Sequence, residues 1–160
     1  MKRTAVYPGS FDPITFGHLD IIKRACVMFE RVIVAIVHNP NKSTLFSLNE
    51  RLDMIRNVIG ENPQVQVGSF EGLLVDFLMQ NNTGVVVRGL RAVSDMEYEF
   101  QMAHANRELL KDIETIFLMP SEEYTYLSSS IVKEIARLGG DTKKFAPESV
   151  GALLKKKFKK

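Results

Sequence analysis

Tryptophan is absent from this 160-residue chain and cysteine occurs once, at Cys26. A single thiol rules out an internal disulfide and any cysteine-cluster metal centre. Histidine is scarce, with three copies, and none stands in H-x-x-x-H or H-E-x-x-H spacing, so a protein-held zinc is not expected. No apolar run approaches the ~18 residues that a membrane span requires. The basic start Met1-Lys2-Arg3 is followed by too short an apolar stretch before Pro8-Gly9 for a secretion signal. A cytoplasmic protein is expected. Neither sign of charge dominates: 21 Lys and Arg against 19 Asp and Glu leave +2, too little to argue for nucleic acid. The familiar phosphate loops, G-x-x-x-x-G-K-[ST] and G-x-G-x-x-G, are missing as well.

What is present alternates. Apolar runs of strand length, rich in Val and Ile, fall at 4–7, 32–37, 65–69, 85–88 and 115–119. Helical patterns fall between and after them, at 18–29, 48–59, 73–81, 95–110, 129–138 and 147–158. Ser47-Leu-Asn-Glu50 and Ser94-Asp-Met-Glu97 read as capping boxes, and Pro8-Gly9 as the stop of the first strand. Cys26 lies in the apolar stripe Leu19, Ile22, Cys26, Phe29 and reads as core filler. Lys155, Lys156, Lys157, Lys159 and Lys160 read as a solvated end of the last helix, with an RNA- or membrane-binding tail as the alternative. The repeated β–α units predict a single domain over 1–160, an α/β fold with a doubly wound, five-stranded parallel sheet.

Ligands of such sheets bind beyond the carboxyl ends of the strands, where the strand order reverses. That rule gathers a biased set of residues at one edge. Three are cations, Lys42, Arg88 and Arg91, one is the imidazole of His18, and four are the hydroxyls of Ser10, Ser128, Ser129 and Ser130. Few carboxylates compete with them. Two arginines flanking Gly89 suit a polyphosphate, because guanidinium forks bind phosphate oxygens and glycine lets the backbone approach. Thr15-Phe16-Gly17-His18 and Ser128-Ser129-Ser130 each open a helix, where unpaired N–H groups favour an anion. His18 is the candidate catalytic group. The carboxylates form no magnesium cage, so magnesium would arrive on a nucleotide.

Four ordered segments carry a resemblance. They are Tyr7-Pro-Gly-Ser-Phe-Asp-Pro-Ile-Thr-Phe-Gly-His18, Phe46-Ser-Leu-Asn-Glu-Arg51, Val87-Arg-Gly-Leu-Arg-Ala-Val-Ser-Asp95 with Glu97-Tyr-Glu99, and Ser128-Ser-Ser-Ile-Val-Lys-Glu134. Along essentially its whole length the chain resembles the bacterial phosphopantetheine adenylyltransferases of the nucleotidyltransferase superfamily. The resemblance implies a Rossmann-like nucleotidyltransferase fold and transfer of AMP from ATP to 4'-phosphopantetheine. The products would be dephospho-coenzyme A and pyrophosphate, in coenzyme A biosynthesis. It also implies a magnesium requirement and a homohexamer.

Family roles then fall on matching positions. His18 would stabilise charge on the α-phosphate. Ser10 and Phe11 would contact nucleotide phosphates, with Ser10 also touching the acceptor. Gly89, Leu90, Arg91, Glu99 and the stretch Tyr124, Thr125, Tyr126, Leu127, Ser128, Ser129, Ser130 would complete the ATP site. Lys42, Leu74 and Arg88 would hold phosphopantetheine. Ser10 replaces a threonine common in the family and keeps the hydroxyl. Thr15 stands where many superfamily relatives carry histidine. A phosphate monoester dianion is already a competent nucleophile, so in-line attack needs no general base and leaves the protein positioning and electrostatics. An adenylyl- or cytidylyltransferase with another acceptor, and a nucleotide-binding regulatory module, are the competing readings.

Overall fold

The computed structural model describes residues 4–41, 43–91 and 93–159, and for 93–95 the backbone alone. The Val- and Ile-rich runs form five strands: β1 (Thr4–Gly9), β2 (Arg31–Val37), β3 (Val65–Phe70), β4 (Val85–Gly89) and β5 (Glu114–Leu118). They pair in parallel in the order β3-β2-β1-β4-β5. Alternate residues along each strand point to opposite faces. Ala5, Tyr7, Val32, Val34 and Ile36 enter one buried cluster, while Val6, Ile33 and Ala35 enter another. Each face therefore needs a cover. The helices supply it: α1 (Phe16–Met28), α2 (Leu48–Ile59), α3 (Leu74–Gln80), α4 (Val93–Leu109), α5 (Ser129–Arg137) and α6 (Glu148–Phe158), with a 3-10 turn at Glu122–Tyr124. This is the doubly wound parallel sheet that the sequence predicts. The order reverses between β1 and β4, which places the crevice there.

Two boundaries differ from expectation in ways that matter. β1 does not stop at Pro8 but runs through it, with Pro8 opposite Ala35 and Gly9 opposite Ile36 of β2. Proline is tolerated in this central strand because N–H and C=O of one strand residue face the same neighbour. The Pro8 carbonyl accepts from Nη1 of Arg88 on β4, at 2.8 Å, so the missing N–H also faces β4. Among the described residues the β1–β4 ladder sets one pair, Val6 opposite Val86. Beyond it a side chain, not the backbone, meets β1. α4 starts at Val93 rather than Asp95, so Ser94, read as a cap, falls inside the helix, with its side chain outside the described residues. The Ser47–Glu50 capping box of α2 is present as predicted. Of the terminal lysines, Lys157 packs α6 onto α2: its Nζ lies 2.9 Å from Glu50 and 5.4 Å from the centroid of the Phe46 ring. No helix among the described residues is long and apolar enough to cross a membrane.

Candidate active site

A cavity of about 350 Å³ opens where β1 and β4 part. Its wall carries Ser10, Phe11, Asp12, Thr15 and His18 after β1, Arg88 and Gly89 at the end of β4 with Arg91 just beyond it, and Leu127, Ser128, Ser129, Ser130 and Lys133 at the start of α5. Glu99 of α4 and the loop residues Ser43 and Thr44 also line it. A side chain at Gly89 would bring its Cβ to 3.1 Å from Ile21 Cγ1, so glycine lets β4 lie this close to α1.

The turn after β1 is held from three directions. Arg51, 2% exposed, donates from Nη1 to the Ser10 carbonyl at 2.8 Å. Phe11 takes φ +46°, a left-handed conformation uncommon for a bulky residue, and buries its ring edge-on to Tyr7 and His18. Asp12 accepts the N–H groups of Leu45 and Phe46, each at 2.9 Å, and the ammonium of Lys133 at 2.9 Å. Burial alone would raise the Asp12 carboxyl, but the bonds from Lys133, Leu45 and Phe46 outweigh it and hold the group below its ordinary value.

His18 takes part in a capping box of unusual composition. Thr15 caps α1, and its hydroxyl accepts the His18 N–H. In return Nδ1 of His18 accepts the Thr15 backbone N–H at 3.0 Å, with Thr15 Oγ1 also 3.0 Å away. A backbone N–H only donates, so Nδ1 carries no proton and the neutral ring holds its proton on Nε2. Burial, reinforced by the Arg91 charge, pulls the imidazole from its usual value of 6.5 down to about 3. His18 is therefore a neutral N–H donor set in the cavity wall.

The charges are paired more than the sequence suggested. Glu99 grips Arg88 with both oxygens, at 2.6 Å to Nε and 2.5 Å to Nη2. Arg91 donates from Nη1 to the Leu127 carbonyl at 3.1 Å, which ties the end of β4 to the segment leading into α5. Two carboxylates thus line an edge expected to hold few, each neutralised by a cation. Ser128 caps α5 through the Ile131 N–H at 3.2 Å, and the Ser129 hydroxyl donates to the Pro13 carbonyl at 2.7 Å. Those two hydroxyls are occupied in building the site, and Ser130 also lines the cavity.

A second cleft of about 250 Å³ adjoins the first and shares Pro8, Arg88 and Glu99 with it. Its other walls are more apolar: Val37, Phe70, Leu73, Leu74 and Val86, with Tyr98, Met102, Ala103 and Asn106 of α4. Leu74 is the residue here that the sequence singled out. Tyr98, Met102 and Asn106 were missed, although their spacing of four places them on one helix face. Asp12 and Lys133 were missed too; Lys133 follows Ser129 and Ser130 by one helical turn, which was the available signal.

Other expected residues lie off the cavity wall. Leu90 is buried, its N–H bonded to the Leu118 carbonyl. Tyr124 packs on Phe16, the Thr125 hydroxyl donates to the Ser121 carbonyl, and Tyr126 is 85% exposed. Lys42 lies outside the described residues, between Asn41 and the cavity residue Ser43.

Residues 6–135 match the family model described as Cytidylyltransferase-like. The chain is 54% identical over 154 residues to the phosphopantetheine adenylyltransferase of Synechococcus elongatus, covering 96% of this chain and 93% of that one. It is 57% identical over 157 residues to the protein of that name from Syntrophotalea carbinolica, covering 98% and 95%. Among solved structures it superposes on Plasmodium falciparum nicotinic acid mononucleotide adenylyltransferase with a TM-score of 0.74, covering 98% of this chain and 96% of that chain. At 16% identity that likeness concerns the fold alone.

Proposed function

As this chain belongs to the phosphopantetheine adenylyltransferases, within the cytidylyltransferase-like family, we propose that it transfers AMP from ATP to 4'-phosphopantetheine, giving dephospho-coenzyme A and pyrophosphate for coenzyme A biosynthesis. The observation that carries the mechanism is the pair of clefts meeting at Arg88 and Glu99. The larger, polar cleft suits the nucleotide and its phosphates. The smaller, apolar one suits the pantetheine arm, with Leu74 in its wall. Their junction is where an acceptor phosphate meets the α-phosphorus.

An oxygen of the acceptor phosphate attacks the α-phosphorus in line. The bond from that phosphorus to the bridging oxygen breaks, and its electron pair leaves with pyrophosphate. No proton has to be taken from the nucleophile, so no base is needed. His18 donates its Nε2–H to a non-bridging oxygen whose charge grows in the transition state. Arg88 and Lys42 hold the acceptor phosphate. Arg91, the open donors at the start of α5 and Ser130 hold the leaving phosphates. Catalysis is then positioning and electrostatics.

Among the described residues no group of three or more His, Cys, Asp or Glu stands where it could hold a metal. Asp12 and Glu99 are engaged by Lys133 and Arg88. These residues fit magnesium that is carried on the ATP phosphates, where it would neutralise their charge. The homohexamer belongs to the same reading, with the exposed Met96, Phe100 and Leu109 of α4 available for an interface to cover.

The test is pyrophosphate release from Mg-ATP with 4'-phosphopantetheine, run beside nicotinate mononucleotide. Release with the first acceptor alone is the expected result. Release with neither, from folded protein that binds ATP, overturns the choice of acceptor.

A further inference from the structure

Tyr7 heads the segment that leads to His18, and the mechanism above gives it no part. It lies in β1, 6% exposed, and lines the larger cavity together with His18. Phe11 packs on both rings, its centroid 5.4 Å from that of Tyr7 and 5.0 Å from that of His18. The Tyr7 hydroxyl sits at the seam where β1 and β4 part: a side chain at Gly89 would set its Cβ 3.8 Å from Tyr7 Oη. Among the described residues the hydroxyl has no hydrogen-bond partner. The one fully buried side-chain polar atom there without a partner is Nδ1 of His38, so the Tyr7 hydroxyl is not enclosed in the core but meets the cavity. It also keeps its proton. Burial raises the phenol above its ordinary value, further than the charges of Arg88 and Arg91 draw it back.

We infer that Tyr7 is a second catalytic residue, whose hydroxyl donates to the non-bridging oxygen of the α-phosphoryl group that His18 leaves open. The inference rests on the AMP transfer proposed above. An α-phosphoryl group carries two non-bridging oxygens, and His18 serves one of them. The cations of the site attract phosphates before and during the reaction alike. A neutral donor attracts little until charge grows on the oxygen that it faces, and stabilisation gained only in the transition state is what raises the rate. No proton changes hands in this step: the phenol keeps its hydrogen while the bond to the attacking oxygen forms and the bond to pyrophosphate breaks. Two neutral donors held on one shared ring, Phe11, then accompany the charge from the start of the attack to the departure of the leaving group.

Tyr7→Phe tests this, because it removes the hydroxyl and keeps the ring on Phe11. The expected result is a kcat lowered about 10- to 100-fold, with the KM for each substrate within about twofold of wild type. The two diastereomers of ATPαS identify the oxygen. Each places sulfur, a weak hydrogen-bond acceptor, at one of the two non-bridging positions. The slowing caused by sulfur should shrink in Tyr7→Phe for one diastereomer and persist for the other, and His18→Ala should show the opposite preference. A Tyr7→Phe enzyme with the wild-type kcat overturns the inference. So does a loss that treats both diastereomers alike, which is the mark of a merely structural hydroxyl, or one that falls on the same diastereomer as the loss in His18→Ala. If the Phe variant does not fold, the native protein answers by NMR with tyrosine labelled at Cζ. ATP alone should move the Tyr7 Cζ resonance, and a resonance that stays in place overturns the inference. That measurement needs no acceptor. A wild type that binds ATP but does not turn over 4'-phosphopantetheine overturns the choice of acceptor, whereas a Tyr7 resonance indifferent to ATP overturns this inference alone.

Discussion

Thr15 decides what His18 is. Its N–H occupies Nδ1, so an imidazolium would set two donors against each other at 3.0 Å. With the value held at about 3, His18 stays neutral through the range where enzymes are assayed. The acid limb of the pH–rate profile then belongs to the acceptor phosphate, whose second ionisation lies near ~6 for a phosphate monoester. His18→Ala should lose about 10²–10³ in kcat. His18→Gln, which restores an N–H near Nε2, should recover about tenfold of that, and both should keep the wild-type acid limb. A limb that shifts in either variant sinks the neutral-donor role. Stability carries the same signature. As pH falls below the ordinary histidine value of 6.5, the unfolded chain takes a proton that the folded chain refuses until about 3. Stability then falls with acidity, by at most about 1.4 kcal/mol for each pH unit in that window.

At the scale of elements, the site is tied by bonds between loops far apart in sequence. Asp12 joins the turn after β1 to the segment ahead of α2 and to α5, and Ser129 joins α5 to Pro13. Asp12→Asn leaves one oxygen for three donors and turns an NH₂ toward another. It should lower stability by roughly 1–3 kcal/mol, read as the midpoint of urea unfolding; an unchanged midpoint would show that the hub is slack. Asp12 sits below its ordinary carboxyl value, so its contribution is complete above that value and is lost as pH falls through the folded one. These ties explain what the sequence could reveal. Val- and Ile-rich strands, the Ser47–Glu50 box and the His18 junction are local patterns, and they were legible. The pairs Asp12–Lys133 and Arg88–Glu99 depend on where the fold brings separate elements, and no local period encodes that. Pro8 misled for a related reason: proline stops a strand unless the neighbouring strand has already departed, and the departure is a tertiary fact.

At the scale of the molecule, the sheet has a dense half and a thin seam. β1 is in register with β2 over six residue pairs, from Thr4 with Arg31 to Gly9 with Ile36. Toward β4 the described ladder sets Val6 against Val86, and the clefts occupy the space beyond. Amides of β4 and β5 should exchange with solvent through a smaller opening than those of β1 and β2, and ligand binding should slow them selectively. Each ligand held at about 100 times its dissociation constant adds about 2.7 kcal/mol against opening. Equal exchange across the seam, or no response to ligand, would contradict this picture. The seam also bears on how long the protein lasts. Proteases act on the opened fraction of a population. A molecule whose two halves are stapled by its own substrates is cut faster when those substrates run short, so supply of the reactants sets the lifetime of the catalyst.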